Sequence, residues 1–351
     1  MNQQKKLAPE EIRRARRDNP KLRERDLAIQ LGISEAELVA AHWGDGVMRI
    51  EPRVNDLLAG LESVGEVMAL TRNESAVHEK IGVYTKVVAG ERSALVLGPE
   101  IDLRIFPTVW KHGFAVEQRD SGEIRRSLQF FDGKGDAVHK VHLRPESNLY
   151  AYQKLVASLE SRDQSIWVDI EPPKPAVEAD DENVSSQALR DRWTSLTDTH
   201  QFFGMLRALK ISRRRAMRLA GPDLAWMLDP DAVVALMNLA AKNAIPIMCF
   251  VANSGCIQIH SGPIASIKPM GPWINILDAT FHLHLRVDHI SETWAVRKPT
   301  KDGHITSIEA YDSAGRLVVQ FFGKRHEGEA ELDDWRVLAE HLPRIPCSTA
   351  A

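Results

Sequence analysis

The sequence predicts an α+β protein built from two copies of one unit, each an antiparallel β-sheet with a cluster of helices. Two observations carry this expectation. The apolar period passes from helical to strand-like twice along the chain, in the same order each time. The two halves also overlay at a constant offset of 180, without a gap, from Val67 to Val138. In that register Met68 falls on Met248, Asn73 on Asn253, Gly82 on Gly262, Ala115-Val116 on Ala295-Val296, Ser127 on Ser307, and Asp132-x-x-Gly135 on Asp312-x-x-Gly315. With a two-residue shift the preceding helices follow, Ile33-Ser34 falling on Ile211-Ser212. Identities are sparse, but shared turn residues and a shared apolar phase along one register are hard to obtain by chance.

Residues 9 to 42 read as helices. Pro9 suits a first turn, and Leu22, Leu27, Leu31, Leu38 and Ala41 recur at helical spacing. Gly32 breaks the pattern, and Ser34 with Glu37 makes a capping box, so residues 27 to 42 resemble a helix-turn-helix. A DNA-reading role would set Glu35 and Glu37 against phosphates, which favours a packed helical pair instead. Residues 53 to 64 form another amphipathic helix through Val54, Leu57, Leu58 and Leu61. Strands are expected at 67–70, 81–88, 93–97, 101–106, 113–118, 124–131 and 137–143, with Asp132-Gly133-Lys134-Gly135 as a hairpin turn. Proline and then like charges fill residues 171 to 187, the composition of a linker. The expected division is therefore 1–170, linker 171–187, and 188–351. The second half repeats the order: helices around 187–219 and 230–243, then strands from Ile245 to Phe322.

With 351 residues, 44% apolar and 26% charged, the chain suits a soluble globular protein with two cores. A net charge of -3 argues against a wholly basic nucleic-acid coat. Cys249, Cys256 and Cys347 are too few for a disulfide framework and lack zinc spacing, which fits reduced thiols in a cytoplasm. The start, Met1 to Lys6, runs into charged residues without a signal h-region. No apolar run reaches the roughly 20 residues of a membrane span. A cytoplasmic protein outside the membrane is expected.

One stretch stands out chemically. Thr197-Asp198-Thr199-His200-Gln201-Phe202-Phe203-Gly204-Met205-Leu206-Arg207 sets a histidine among large apolar side chains, and the basic Lys210 to Arg218 follows. A flat apolar ligand carrying carboxylates and a metal, such as haem, would want a nitrogen donor, aromatic walls and cations. A lone histidine beside aromatics is, however, more often a packed or surface residue. Ser212 as an N-cap puts Arg213, Arg214 and Arg215 in a first helical turn, where the dipole disfavours cations, so they need an anionic partner or full solvation. In the overlay His200 meets Leu22 and His78 meets Gln258, so neither histidine has a symmetric twin. His282, His284 and Arg286 share one strand face without a third metal ligand at a persuasive spacing, and His139 and His142 suggest a partly exposed strand. Hydrolase and nucleotide-binding motifs of the Gly-x-Ser-x-Gly, Walker and Gly-x-Gly-x-x-Gly types are absent.

Further stretches carry a resemblance: Phe250-Val-Ala-Asn-Ser-Gly-Cys256-Ile-Gln-Ile-His, Pro269-Met-Gly-Pro-Trp273-Ile-Asn-Ile, Trp294-Ala-Val-Arg-Lys298-Pro-Thr and Phe322-Gly-Lys-Arg325-His-Glu-Gly-Glu. With the His200 stretch and the duplication, the chain resembles the bacterial cytoplasmic hemin-degrading factors or hemin transport proteins over essentially its whole length. The resemblance implies a tandem fold with haem held between the halves. It implies His200 as axial iron ligand, Arg104 over the opposite haem face, and Arg213, Lys298 and Arg325 on the propionate side. Tyr311, Phe202, Phe203 and Trp273 are pocket candidates, and His78 resembles a second histidine used by some members. Three functions follow: a haem carrier between an inner-membrane importer and a haem oxygenase, a haem-degrading enzyme using an external reductant, and, last, a DNA-binding regulator in the apo form.

Overall fold

The computed structural model describes residues 7–120, 122–172, 184–325 and 328–345. In the first half of the chain the elements are α1 (Pro9–Asp18), α2 (Glu24–Leu31), α3 (Glu35–Ala40), β1 (Val47–Ile50), α4 (Val54–Val64), β2 (Val67–Arg72), β3 (Ala76–Gly82), β4 (Val87–Val88), β5 (Ala94–Leu97), β6 (Asp102–Ile105), β7 (His112–Asp120), β8 (Glu123–Phe131), β9 (Ala137–Leu143) and α5 (Leu149–Leu159). The second half follows with α6 (Ser186–Thr194), α7 (Gln201–Ala208), α8 (Arg213–Ala220), β10 (Ala225–Leu228), α9 (Ala232–Lys242), β11 (Ile247–Ala252), β12 (Cys256–Gly262), β13 (Ile267–Met270), β14 (Trp273–Leu277), β15 (Phe281–Arg286), β16 (Glu292–Thr300), β17 (Gly303–Tyr311), β18 (Leu317–Gly323) and α10 (Asp333–Glu340). Two nine-stranded antiparallel sheets result, ordered β1-β7-β8-β9-β2-β3-β15-β14-β13 and β10-β16-β17-β18-β11-β12-β6-β5-β4. No helix among the described residues is long and apolar enough to cross a membrane.

The repeat is visible element by element. β2, β3, β7, β8 and β9 begin 180 positions before β11, β12, β16, β17 and β18, and α3, β1 and α4 begin 178 before α8, β10 and α9. Even the irregularity is shared: the register shifts between Phe130 and Phe131 in one copy and between Ala310 and Tyr311 in the other. The turns that set this register are built alike. Asp132 Oδ1 accepts from the backbone of Lys134 and Asp136, Asp312 Oδ1 from that of Arg316, and Gly135 and Gly315 take the left-handed backbone at φ +78° and +79°. Ser34 and Ser212 both cap, accepting from the third helical N–H.

Two compact units emerge, and they are not the two halves of the chain. The first takes in Met1–Arg72, Glu79–Lys174 and Ala252–Gln258, the second Asn73–His78, Pro175–Val251 and Ile259–Ala351. Each half thus gives a hairpin tip to the other unit, which the linear division did not anticipate. Most of the expected linker, residues 173–183, lies outside the described residues. In the first unit Asn253 fastens the incoming tip. Its Oδ1 accepts from Gly255 and Cys256 N–H at 3.0 and 2.9 Å, while its Nδ2 donates to the carbonyls of Arg72 and Val138 at 2.9 Å each. In the second unit Asn73 does the same, accepting from Ser75 and Ala76 and donating to Val318 at 2.8 Å.

Two expectations change. Residues 76–82 form one strand, with the break falling after Gly82; charged Glu79 and Lys80 hid it, and the buried Lys80 has the Glu100 carboxylate 2.7 Å from its ammonium. His139 is buried rather than partly exposed. Its ring nitrogens meet the Tyr84 hydroxyl at 2.6 Å and the Thr71 hydroxyl at 2.9 Å, and burial takes its pKa down to about 3, so it is neutral. The helix-turn-helix-like segment is a packed pair, Leu27 and Ala28 against Leu38 and Ala41 with Ile12. Glu35 points inward, bonded to Lys140 at 2.6 Å and to Arg72.

The second unit has a main core of α9 and α10 against the sheet, including Leu236, Met237, Ile308, Phe321 and Trp335. A separate cluster seats α6, α7 and α8: Leu189, Trp193, Phe202, Leu206 and Met217 pack with Trp294, Val296 and Tyr311. That cluster carries the candidate site. Replacing Asn253 by Ala removes the two amide hydrogen bonds to part-buried carbonyls and the one oxygen that accepts two N–H groups of the turn; at about 1 kcal/mol per net bond the expected loss is roughly 2–4 kcal/mol, read as a lower urea midpoint.

Candidate functional site

His200 closes the turn that leads into α7. Asp198 Oδ1 accepts the His200 backbone N–H at 2.7 Å and lies 2.8 Å from Nδ1 of the same ring. A carboxylate can only accept, so Nδ1 carries the proton and the lone pair sits on Nε2. The imidazole is 86% exposed. Its turn is braced on both sides, Gln201 Oε1 accepting from Thr197 N–H at 3.0 Å and Thr197 O accepting from Lys301 N–H at 3.1 Å. The two bonds from His200, with Arg325 adding its charge, hold the Asp198 carboxyl below its usual range.

Helix α7 has two unlike faces. Phe202, Met205 and Leu206 are buried, whereas Phe203, Gly204 and Arg207 are exposed and, with His200, recur at i, i+3, i+4 and i+7 along one strip. Phe203 is 62% exposed, with the Arg207 guanidinium 5.1 Å from its ring. A Cβ added at Gly204 would meet nothing within 4 Å. Glycine inside a helix costs about 1 kcal/mol relative to alanine, and no packing in the protein requires it here. Its effect is to keep the strip beside His200 flat.

Behind the strip lies a charged cluster centred on Glu309, whose side chain is fully buried. Arg213 grips it with two bonds of 2.8 and 2.6 Å, Lys298 Nζ donates at 2.9 Å, Ser307 Oγ at 2.7 Å and Tyr311 Oη at 2.6 Å. Burial would raise the Glu309 carboxyl, but Arg213 and Lys298 hold it well below the usual range. Burial pushes Lys298 down to about 8 against the pull of Glu309, with Arg213 pushing the same way. Two cations thus face one carboxylate, an excess of one positive charge. Both cations lie over the Phe202 ring, Arg213 at 5.2 Å and Lys298 at 5.1 Å. Lys298 also stands 5.3 Å from Phe322, which meets Phe250 edge-on at 5.1 Å.

The second unit therefore gathers His200, Phe202, Phe203, Arg213, Lys298, Tyr311 and Arg325 on α7, α8 and the strand ends beneath them. Phe202 and Tyr311 serve as buried support and Phe203 as exposed wall. Trp273 lies on β14 of the other sheet, with the Arg286 guanidinium 5.3 Å from its ring. His78 is fully buried on β3, 4.9 Å from the Phe281 ring. Arg104 belongs to the first unit, half-buried on β6 with its guanidinium on Asp102. Among the described residues no group of three histidine, cysteine or acidic side chains is disposed to hold a bare metal ion. Sequence reasoning passed over Asp198, Glu309, Gly204, Phe250 and Phe322. The alternation Ser307-x-Glu309-x-Tyr311, three polar groups on one face of a strand, was the available signal.

Comparison with known proteins agrees with the repeated architecture. The family model described as the haemin-degrading HemS.ChuX domain matches twice, over residues 32–159 and 210–342, once in each repeat. The chain belongs to this HemS/ChuX family. It is 38% identical over 332 residues to the hemin transport protein HemS of Yersinia enterocolitica, covering 93% of this chain and 94% of the relative. It is 39% identical over 335 residues to HmuS of Yersinia pestis, covering 94% and 95%. Among solved structures, holo-PhuS, a heme-binding protein from Pseudomonas aeruginosa, superposes with a TM-score of 0.94 at 42% identity over 97% of this chain and 100% of that one. The heme degrading enzyme ChuS of Escherichia coli O157:H7 gives 0.88 at 34% identity, over 94% and 97%.

Glu309→Gln leaves the buried Lys298 and the partly buried Arg213 without their anion and is expected to cost about 3–5 kcal/mol at neutral pH. It should also flatten the acid limb of the stability curve. Because the folded carboxyl titrates well below its ordinary 4.5, Glu309 stabilises fully above that value and progressively less as pH falls beneath it. Urea midpoints between about pH 5 and pH 3 will fall less steeply in the variant than in the parent.

Proposed function

We propose that this chain binds haem through His200 and acts in the bacterial cytoplasm as a haem carrier of iron acquisition, taking haem from an inner-membrane importer and delivering it to a haem oxygenase. The observation that carries the reading is the His200 strip: an exposed Nε2 lone pair, its ring fixed from behind, beside a flat apolar surface that the protein itself has no use for. Haem brings an iron that accepts an imidazole, a flat apolar ring and two carboxylates. This chain's residues match each part. His200 offers the nitrogen, Phe203 with Gly204 offers the flat face, and the Arg213–Lys298–Glu309 cluster offers one uncompensated positive charge towards an acid without surrendering its own carboxylate. Arg325, close enough to act on Asp198, adds a further cation at the histidine end. The resemblance also assigns Arg104, in the first unit, to haem binding, as a guanidinium that would donate hydrogen bonds rather than ligate iron. A single protein ligand suits a carrier, since one bond has to break on delivery. The relatives HemS and HmuS, hemin transport proteins, support this reading.

A second reading, haem degradation, has its own support in the family description and in ChuS as a heme degrading enzyme. The two separate cleanly in one assay. If haem loss under a reductant stops when catalase is added, free peroxide is the oxidant and the carrier reading stands; loss that survives catalase makes the chain an enzyme.

Haem titration of the apo protein, followed at the Soret band, tests the site. His200→Ala is expected to weaken binding by tenfold or more, or to change the axial-ligand spectrum; a variant that matches the parent in both overturns the assignment. Gly204→Ala should stabilise the apo protein by about 0.5–1 kcal/mol while weakening haem binding, a combination expected only where the missing side chain serves a ligand.

A further inference from the structure

We infer that Asp198 is a positioning residue for the iron ligand, a carboxylate that holds the His200 ring through Nδ1–H and makes Nε2 a stronger donor. The inference rests on the haem reading above. Its geometry is local and complete. One oxygen, Oδ1, receives both the backbone N–H of His200 at 2.7 Å and its Nδ1 at 2.8 Å, so the same carboxylate that turns the chain into α7 also fixes the tautomer and the rotation of the ring. In the first repeat the matching positions are Pro20 and Leu22, so neither member of the pair exists there.

The chemical consequence follows from charge. Hydrogen bonding from Nδ1–H to a carboxylate draws the proton towards oxygen and leaves more electron density on Nε2, which favours ferric over ferrous iron; a neutral acceptor does this more weakly. In the free chain the imidazole is 86% exposed and Asp198 46% exposed, so water competes for the same groups. A flat ligand seated on the strip excludes that water and strengthens the bond when it is needed. The carboxylate thereby adjusts both retention of the cargo and its resistance to reduction, without touching it.

The experiment compares parent, Asp198→Asn and His200→Ala proteins reconstituted with haem. It reads the ferrous iron–histidine stretching band by resonance Raman and the ferric/ferrous midpoint potential. The asparagine carbonyl still accepts the His200 backbone N–H, so the turn is retained and only the negative charge is lost. Asp198→Asn is expected to move the band to lower frequency and to reduce the preference for ferric iron by roughly tenfold, a rise of about 59 mV for one electron. An unchanged band and midpoint in Asp198→Asn, with the band lost in His200→Ala, overturns the positioning role and leaves the haem site standing. A band that persists in His200→Ala overturns the haem site, and the role of Asp198 with it.

Discussion

A carboxylate with no exposure to water has to be compensated by everything around it, and Glu309 organises the second unit on that condition. Isolated, such a group would cost many kilocalories to keep ionised. Four side chains from three elements converge to prevent this: Arg213 from the first turn of α8, Lys298 from β16, and Ser307 and Tyr311 from Glu309's own strand. Arg213 occupies a position the helix dipole disfavours, and the buried anion is what makes it tenable there. Because both cations also lie over Phe202, the cluster fixes α7 against the sheet, and with it the strip that begins at His200.

The two repeats show how one framework was turned to different ends. At the helix position where the second copy has Arg213, the first has Glu35, and where the second has Glu309 the first has Gln129. The first copy balances its buried charges: Glu35 and Glu24 share Lys140, and Arg72 completes the set. The second copy carries a cation in excess. The first cluster is neutral, while the second leaves one positive charge for an external acid to compensate.

Much of the fold was legible because duplication doubled each signal: the turn at Asp132 was matched by the turn at Asp312, the cap at Ser34 by the cap at Ser212. His200 was legible through its apolar company. Other features were hidden for identifiable reasons. A buried glutamate on an alternating strand looks like a solvated one, and the partner that distinguishes Glu309 lies 96 residues away. Asn73 and Asn253 do form ordinary turns, and nothing local says which distant carbonyls their amides will reach. His78 fell between the expected strands 67–70 and 81–88 because the charges of Glu79 and Lys80 beside it disguised a strand. Gly204 is informative only through the open space around it, which no sequence pattern reveals.

The exchanged hairpin tips also impose an order on synthesis. The first unit ends its continuous run at Lys174, yet includes Ala252–Gln258. At about 5–20 residues per second, the nascent first unit waits roughly 4–17 s for the tip bearing Asn253 to be made. During that interval the carbonyls of Arg72 and Val138 lack the donor they meet in the finished protein. The ribosome must therefore deliver nearly half of the second copy before the first unit has all of its chain.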